Sequence, residues 1–460
     1  MKKTFRFLSM ATLLVVGAIM TGCSNEDNID NPQQPANNDN VVTLTATVSL
    51  DGGAQTRAIT PSTGVKTFES GNQIAVIYKN TSNETVKAVS TDFTPTGDNT
   101  KATFTVTLTN PASGSAVRYI YPASMAKATI ATDATITDDN ATIDYTGLLG
   151  NQDGKLATIG TNYDLARFDG SLSGTDLPAS ASLENPLAIC KFTLTDGSTG
   201  ITSNVNSLTI SDGTNTYAVS PSGLSEIYVA MKPTTGKIAF TAATGSKTYF
   251  KTATGTTLAA STLYTNITVS MVELARGSVI CSDGSVYASK DAATSASKTP
   301  VAMIAYLGSD NGEAAPYNHG LALAMTDAGG GSYLQWSTST SDAGHTKQTD
   351  SNNFTSESGL QYNATHNSDT YPAFKAAIAN NSTAAPTGCS AWFLASGYQW
   401  TKMFAGNAGG LKTLAGLESY LYWSSSERNA NSAWYFYSDN GYWYNHNKDY
   451  DDLVRSCLAF

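Results

Sequence analysis

VVTLTATVSL, residues 41–50, decides the fold class. Val42, Leu44, Ala46, Val48 and Leu50 alternate with Thr43, Thr45, Thr47 and Ser49. A period of two turns the first set toward a core and the second toward water, the signature of a half-buried strand. Outward from it, residues 73–78, 102–108 and 117–121 repeat the theme between Gly, Asn, Asp and Pro turns, as in a sandwich. A low-complexity stretch at 169–182 reads as a boundary, after which 186–194, 207–210, 226–231 and 237–242 begin a second strand series. The expectation is a mainly β protein with two tandem sandwiches, at 41–168 and 183–274.

Bulk properties point the same way. At 460 residues the chain exceeds what one hydrophobic core serves, so three domains are expected. Thr, Ser, Ala, Asn and Gly dominate, while Glu, Lys and Leu are sparse beside β-branched residues, which favours strands. A net charge of −10 and a pI near 4.9 oppose binding to phosphate backbones, and no nucleic-acid partner is expected.

Composition shifts after Leu274. Trp and His appear for the first time, and a third domain is expected over 276–460. Residues 277–286 read as a hairpin with Asp283-Gly284 as its turn. Strands are expected at 301–308 and 320–325, a helix over 371–380 from the spacing of Phe374, Ala377 and Ile378, and another short helix from Trp400 to Phe404.

Catalytic and metal signatures are missing from the sequence. His319, His345, His366 and His446 show no spacing that would place two ligands on one metal. A G-x-S-x-G elbow, a P-loop and a Cys with an evident His partner are also lacking, so no enzyme activity, metal or cofactor is expected. Cys281, Cys389 and Cys457 leave one thiol over if two pair, and the pairing stays open.

The amino terminus sets the compartment. Lys2, Lys3 and Arg6 precede an apolar run at 7–20 that suits a signal-peptide core and is short for a membrane span. Met20-Thr21-Gly22-Cys23 resembles a lipoprotein processing site, which implies a signal peptide at 1–22, lipidation of Cys23 and anchoring in the outer membrane. The acidic Ser24-Asn25-Glu26-Asp27 resembles a surface-export signal of some Gram-negative lipoproteins. Residues 23–40, rich in Asn, Pro and Gln, read as a flexible tether.

Two resemblances add to these readings. The lipoprotein signal, a first strand ending in Gln55-Thr56-Arg57-Ala58, and the segment from Asn185 to Phe192 together resemble the fimbrillin family, the type V pilins, over about residues 1–275. The resemblance implies that an arginine-specific protease cuts between Arg57 and Ala58, removing the first strand so that another pilin subunit can insert one of its own. An ordinary loop residue after an uncleaved strand is the alternative. The order of elements over 277–460 resembles a C-type-lectin-like fold of the formylglycine-generating-enzyme type, most specifically in Tyr422-Trp423-Ser424-Ser425-Ser426-Glu427 and in the closing Val454-Arg455-Ser456-Cys457-Leu458-Ala459-Phe460. The Cys pair used by oxidases of that fold cannot be placed, nor can a calcium-lectin triplet of the Glu-Pro-Asn type.

That fold is also a scaffold diversified by retroelements, and the resemblance implies a variable region near 429–452. Tyr, Asp, Asn and His fill 13 of the 18 positions from Tyr435 to Asp452, and these four are encoded when only the first base of an Asn codon varies. The residues expected to bind are Tyr435, Tyr437, Asp439, Asn440, Tyr442, Trp443, Tyr444, Asn445, His446, Asn447, Asp449, Tyr450, Asp451 and Asp452. Tyr gives large amphipathic contact at low rotamer cost, and Asn and Asp give adaptable hydrogen bonds. Trp423, Trp434, Leu458 and Phe460 are expected in the core. The function expected is a surface adhesin or pilus tip subunit binding a protein or glycan on another cell. A glycan-capturing lipoprotein of a nutrient-uptake system and a structural shaft subunit are the alternatives.

Overall fold

Threonine alternating with Val and Leu produces the first strand, Val41–Leu50. It pairs antiparallel with Lys101–Thr109, from Val41 opposite Thr109 to Ser49 opposite Lys101. Hydroxyls meet across the pair on the outer side, at 3.3 Å for Thr43 and Thr107 and 3.2 Å for Thr45 and Thr105. On the inner side Ala46 and Val48 join Phe68, Val76, Phe93, Phe104 and Tyr119 in a core shared with a second sheet. The structure, a computed structural model, describes residues 40–50, 67–96, 99–245 and 247–460. Cys23, Arg57 and Ala58 lie outside the described residues, as do the expected signal peptide and all but the last residue of the tether.

The stretch read as a boundary, 169–182, is built into this sandwich at both ends. Ala166–Ser171 pairs with Ala116–Tyr121, and Ser180–Leu183 runs parallel to the first strand, with Thr47 opposite Ser180. Ala181 and Leu183 point inward and are buried. Two inward residues are too few to stand out against a low-complexity background. An eight-stranded sheet follows, in which Ala188–Asp196 lies between Ile227–Met231 and Thr262–Glu273.

The carboxy-terminal part is α+β around a six-stranded sheet, in the order Val286–Tyr287, Val279–Cys281, Pro300–Leu307, Gly320–Ala324, Ser456–Ala459, Phe393–Leu394. The 277–286 hairpin, both expected strands and both expected helices are present, the helices as Pro372–Ala379 and Gly397–Phe404. Ser396 and Gln399 form a reciprocal capping box at the start of the second helix, which places Trp400, Met403 and Phe404 on one face of the sheet. The other face, with Ile280, Ala302, Ile304, Ala322, Leu458 and Phe460, packs on Ala239, Phe250 and Leu274 of the eight-stranded sheet region. Approach there is close: a Cβ on Gly388 (φ +90°) would lie 2.5 Å from that of Ala239. The carboxy-terminal sheet therefore sits directly on the preceding one, with apolar side chains in contact between them.

Cys190, Cys281, Cys389 and Cys457 all carry free thiols, which settles the open pairing in favour of none. Among the described residues no helix is long and apolar enough to cross a membrane.

Candidate ligand-binding face

A three-stranded antiparallel sheet builds the face: Leu421–Glu427, Ser432–Tyr437 and Trp443–Asn447. The last two strands form a hairpin with Tyr435 opposite Tyr444 and Phe436 opposite Trp443. Its turn depends on Gly441, whose φ of +72° suits glycine and whose added Cβ would fall 2.6 Å from that of Ala408. Asn440 Oδ1 accepts the Tyr442 N–H at 2.9 Å and closes the loop.

The middle strand is covered on both sides. Phe436 packs between Trp400, Phe404 and Tyr422, while Ala433 and Tyr435 face Trp336, Phe374 and Trp423. This corrects two sequence expectations: Tyr435 and Asp452 are buried, at 7% and 1% exposure, and belong to the scaffold. Asp439, Asn440, Tyr442, Tyr444, Asn445, Asn447, Asp449, Tyr450 and Asp451 are exposed, with Tyr437, Trp443 and His446 half-buried beside them. Trp423, Trp434, Leu458 and Phe460 are buried as expected.

Sequence reading missed the residue that locks this surface. Lys448 breaks the Tyr, Asp, Asn and His composition, and its side chain is fully buried. Its ammonium donates to Glu427, also fully buried, and to the Ser341 carbonyl at 2.7 Å, and lies 4.9 Å from the Trp336 ring. Glu427 further accepts the Ala343 N–H at 3.0 Å and an ion pair from Lys347. Desolvation pulls the Lys448 ammonium below its ordinary pKa, opposed by Glu427. One carboxylate thus ties the carboxy-terminal hairpin to residues 341–347. The signal available in the sequence was the lone cation in a segment otherwise rich in Tyr, Asn and Asp.

Two of the four His residues meet although the chain separates them. His345 Nε2 lies 3.4 Å from His366 Nδ1, and the His345 ring stacks on Tyr362 at 3.6 Å. Each also engages a backbone carbonyl, Ser425 O at 3.0 Å and Ala343 O at 3.1 Å. Burial pushes His345 down to about 3. No group of three or more His, Cys, Asp or Glu that could hold a metal occurs among the described residues.

At the rim of the face, His446 Nδ1 lies 3.3 Å from Asp452 Oδ2, with the His446 ring 4.2 Å from Tyr435 and 4.9 Å from Tyr450. Burial, with a smaller contribution from Asp451, raises the Asp452 carboxyl to about 7, and burial lowers His446. Between about pH 4 and 7 the folded state therefore holds a proton that the unfolded chain has released. That contribution to stability is complete below the unfolded pKa and is lost as pH rises through about 7. Asp452→Asn mimics the protonated acid. Thermal melts of the two proteins should show wild type as the less stable, by a gap that widens by about 2.5 kcal/mol from pH 5 to pH 8. Equal separation at both values would refute the assignment.

Fold and face define a mainly β, multi-sheet protein that presents an aromatic hairpin from an α+β carboxy-terminal part. No protein-family model matches the chain, and no curated protein matches it. Among solved structures it is similar to a fimbrial protein from Bacteroides ovatus ATCC 8483, with 14% identity, 91% of this chain and 100% of that chain covered, and a TM-score of 0.36. It is also similar to the tip fimbrial protein Mfa3 from Porphyromonas gingivalis with C-terminal truncation (12% identity, 46% and 81% covered, TM-score 0.24). A third is a fimbrial assembly protein from Parabacteroides distasonis ATCC 8503 (9% identity, 47% and 87% covered, TM-score 0.28).

Proposed function

We propose that this chain is a cell-surface adhesin, anchored through Cys23 in the outer membrane and placed at a pilus tip, that binds a protein or glycan on another cell through the hairpin face. The observation that carries this reading is the division within one short segment. Exposed Tyr442, Tyr444, Asn445, Tyr450 and Asp451 stand on a base of buried Tyr435, Phe436 and Lys448. A surface so divided can change its side chains without disturbing its support.

Replacing Tyr437, Tyr442, Tyr444, Asn445 and Asp451 together tests the reading. Each exposed change should cost no more than about 0.5 kcal/mol of stability, so the melting temperature should move little. Loss of the aromatic anchors should weaken adhesion by at least about 2 kcal/mol, read on a panel of bacterial and host cells. A folded variant that adheres unchanged would place the ligand elsewhere.

Processing after Arg57 belongs to the same proposal. Removal of Val41–Leu50 would uncover Ala102, Phe104, Val106 and Leu108 and leave the paired edges of Lys101–Thr109 and Ser180–Leu183 open to a strand from another subunit. N-terminal sequencing of protein extracted from the cell surface should show a start at Ala58. Finding acylated Cys23 alone would count against it.

A further inference from the structure

The display hairpin ends in an open edge. Trp443–Asn447 is the last strand of its sheet, bonded on one side to Ser432–Tyr437. At one end Tyr437 N–H donates to Tyr442 O at 3.0 Å, and at the other Lys448 N–H donates to Asn431 O at 3.0 Å. Antiparallel pairs alternate between bonded and non-bonded, so Tyr444 and His446 also bond inward. The N–H and C=O groups of Trp443 and Asn445, and the N–H of Asn447, consequently face away from the sheet. Among the described residues none of these groups meets a protein partner, while Asn447 O accepts the Tyr450 N–H in the turn.

Proteins usually blunt such an edge with Lys, Pro, a bulge or a covering loop. Trp443-Tyr444-Asn445-His446-Asn447 carries neither Lys nor Pro, and its pairing with Ser432–Tyr437 runs without a register shift. Its side chains alternate: Trp443 packs on Phe354 at 4.7 Å, whereas Tyr444 and His446 lie toward Tyr435 on the opposite side. Charge on the segment is one-sided as well. Asp449 and Asp451 are exposed just past the strand, Asp439 is taken by Lys412, and Lys448, the segment's lone lysine, is buried.

We infer that this edge accepts an extended polypeptide segment bearing Lys or Arg, added as a further strand beside Trp443–Asn447. Outward donor and acceptor pairs recur every second residue, about 6.6 Å apart, a repeat that a peptide backbone matches and a sugar ring does not. Main-chain bonds supply affinity that is indifferent to the side chains of the display strand, and the alternating side chains supply selectivity. The inference rests on the reading of this hairpin as the binding face.

The test uses the full chain and a displayed library of random linear peptides. Enriched peptides should carry more Lys and Arg than Asp and Glu. In a synthetic copy of one of them, N-methylation of one alternating set of amides should weaken binding at least about tenfold, and methylation of the other set should do little, because a strand offers one edge at a time. In the protein, Asn445→Pro removes an outward N–H that no described residue uses. Edge strands tolerate Pro there, so the melt should match wild type while peptide binding falls at least about tenfold. Asn445→Ala removes the same side chain but keeps the N–H, so the Pro variant should bind at least about tenfold more weakly than the Ala variant. An unenriched library, an excess of acidic peptides, indifference to both methylation patterns, or equal effects of Asn445→Pro and Asn445→Ala would each overturn the inference. Loss of cell adhesion by the five-residue variant alongside any of these leaves the face as the binding site and removes only the strand mode. Unchanged adhesion by that variant removes the face itself.

Discussion

Glu427→Gln should destabilise the protein by about 3–5 kcal/mol, because it leaves the Lys448 ammonium buried without its counter-charge. Both side chains are fully excluded from water, and Ser341 O is the other oxygen bonded to that ammonium. Lys448→Met should cost less, about 3 kcal/mol, since Lys347 and the Ala343 N–H continue to satisfy the carboxylate. The double change should recover much of either loss: a neutral amide beside a thioether no longer strands a charge, and the two sites are in direct contact and therefore non-additive. Urea unfolding of the four proteins at neutral pH measures the coupling. Single variants within about 1 kcal/mol of wild type would show that the pair does not hold the hairpin.

Arg455→Ala should be as severe, again about 3–5 kcal/mol. The guanidinium, almost wholly buried, donates to Asp327 at 2.6 Å, to Ala324 O and Ala415 O at 3.0 Å each, and to Gly416 O at 3.2 Å. Two of these carbonyls end the helix Ala408–Ala415, where the last turn has no partners of its own. The third closes the strand Gly320–Ala324. Truncation would strand Asp327 with Tyr422 Oη, 3.0 Å away, as its remaining side-chain partner here. Arg455→Lys should retain less than half of the contribution, because a single ammonium cannot reach the four oxygens that a planar fork spans. Chemical denaturation distinguishes the cases. A Lys variant within about 1 kcal/mol of wild type would mean that charge alone matters here.

Much of the fold was legible in local pattern. The alternation in residues 41–50, the Asp283-Gly284 turn and the helical spacing of Phe374 and Ala377 each act over a few residues, where steric preference and one-sided burial leave a periodic trace. Trp423, Trp434 and the closing strand were expected in the core only through the resemblance of their segments to a known scaffold.

The division of the segment from Tyr435 to Asp452 was less so. Tyr435 and Tyr444 are chemically identical, yet one is buried and the other exposed. The difference arises because residues from Leu334 to Phe374 fold over one side of Ser432–Tyr437 and leave Trp443–Asn447 at the margin. Asp452 was misplaced on the same ground. Its acidity suggested solvent, and only its pairing opposite Leu334 takes it inside.

By itself the sequence determined the strand-rich class, the change of character after Leu274 and the concentration of Tyr, Asn and Asp near the carboxy terminus, because periodicity and composition are local properties of the chain. Tertiary structure alone decided that Lys448 is scaffold, that His345 meets His366, and that Trp443–Asn447 offers an open edge. Each of these depends on which distant segment covers a residue's second side, and burial against a partner far along the chain leaves no periodic mark on the residues it covers.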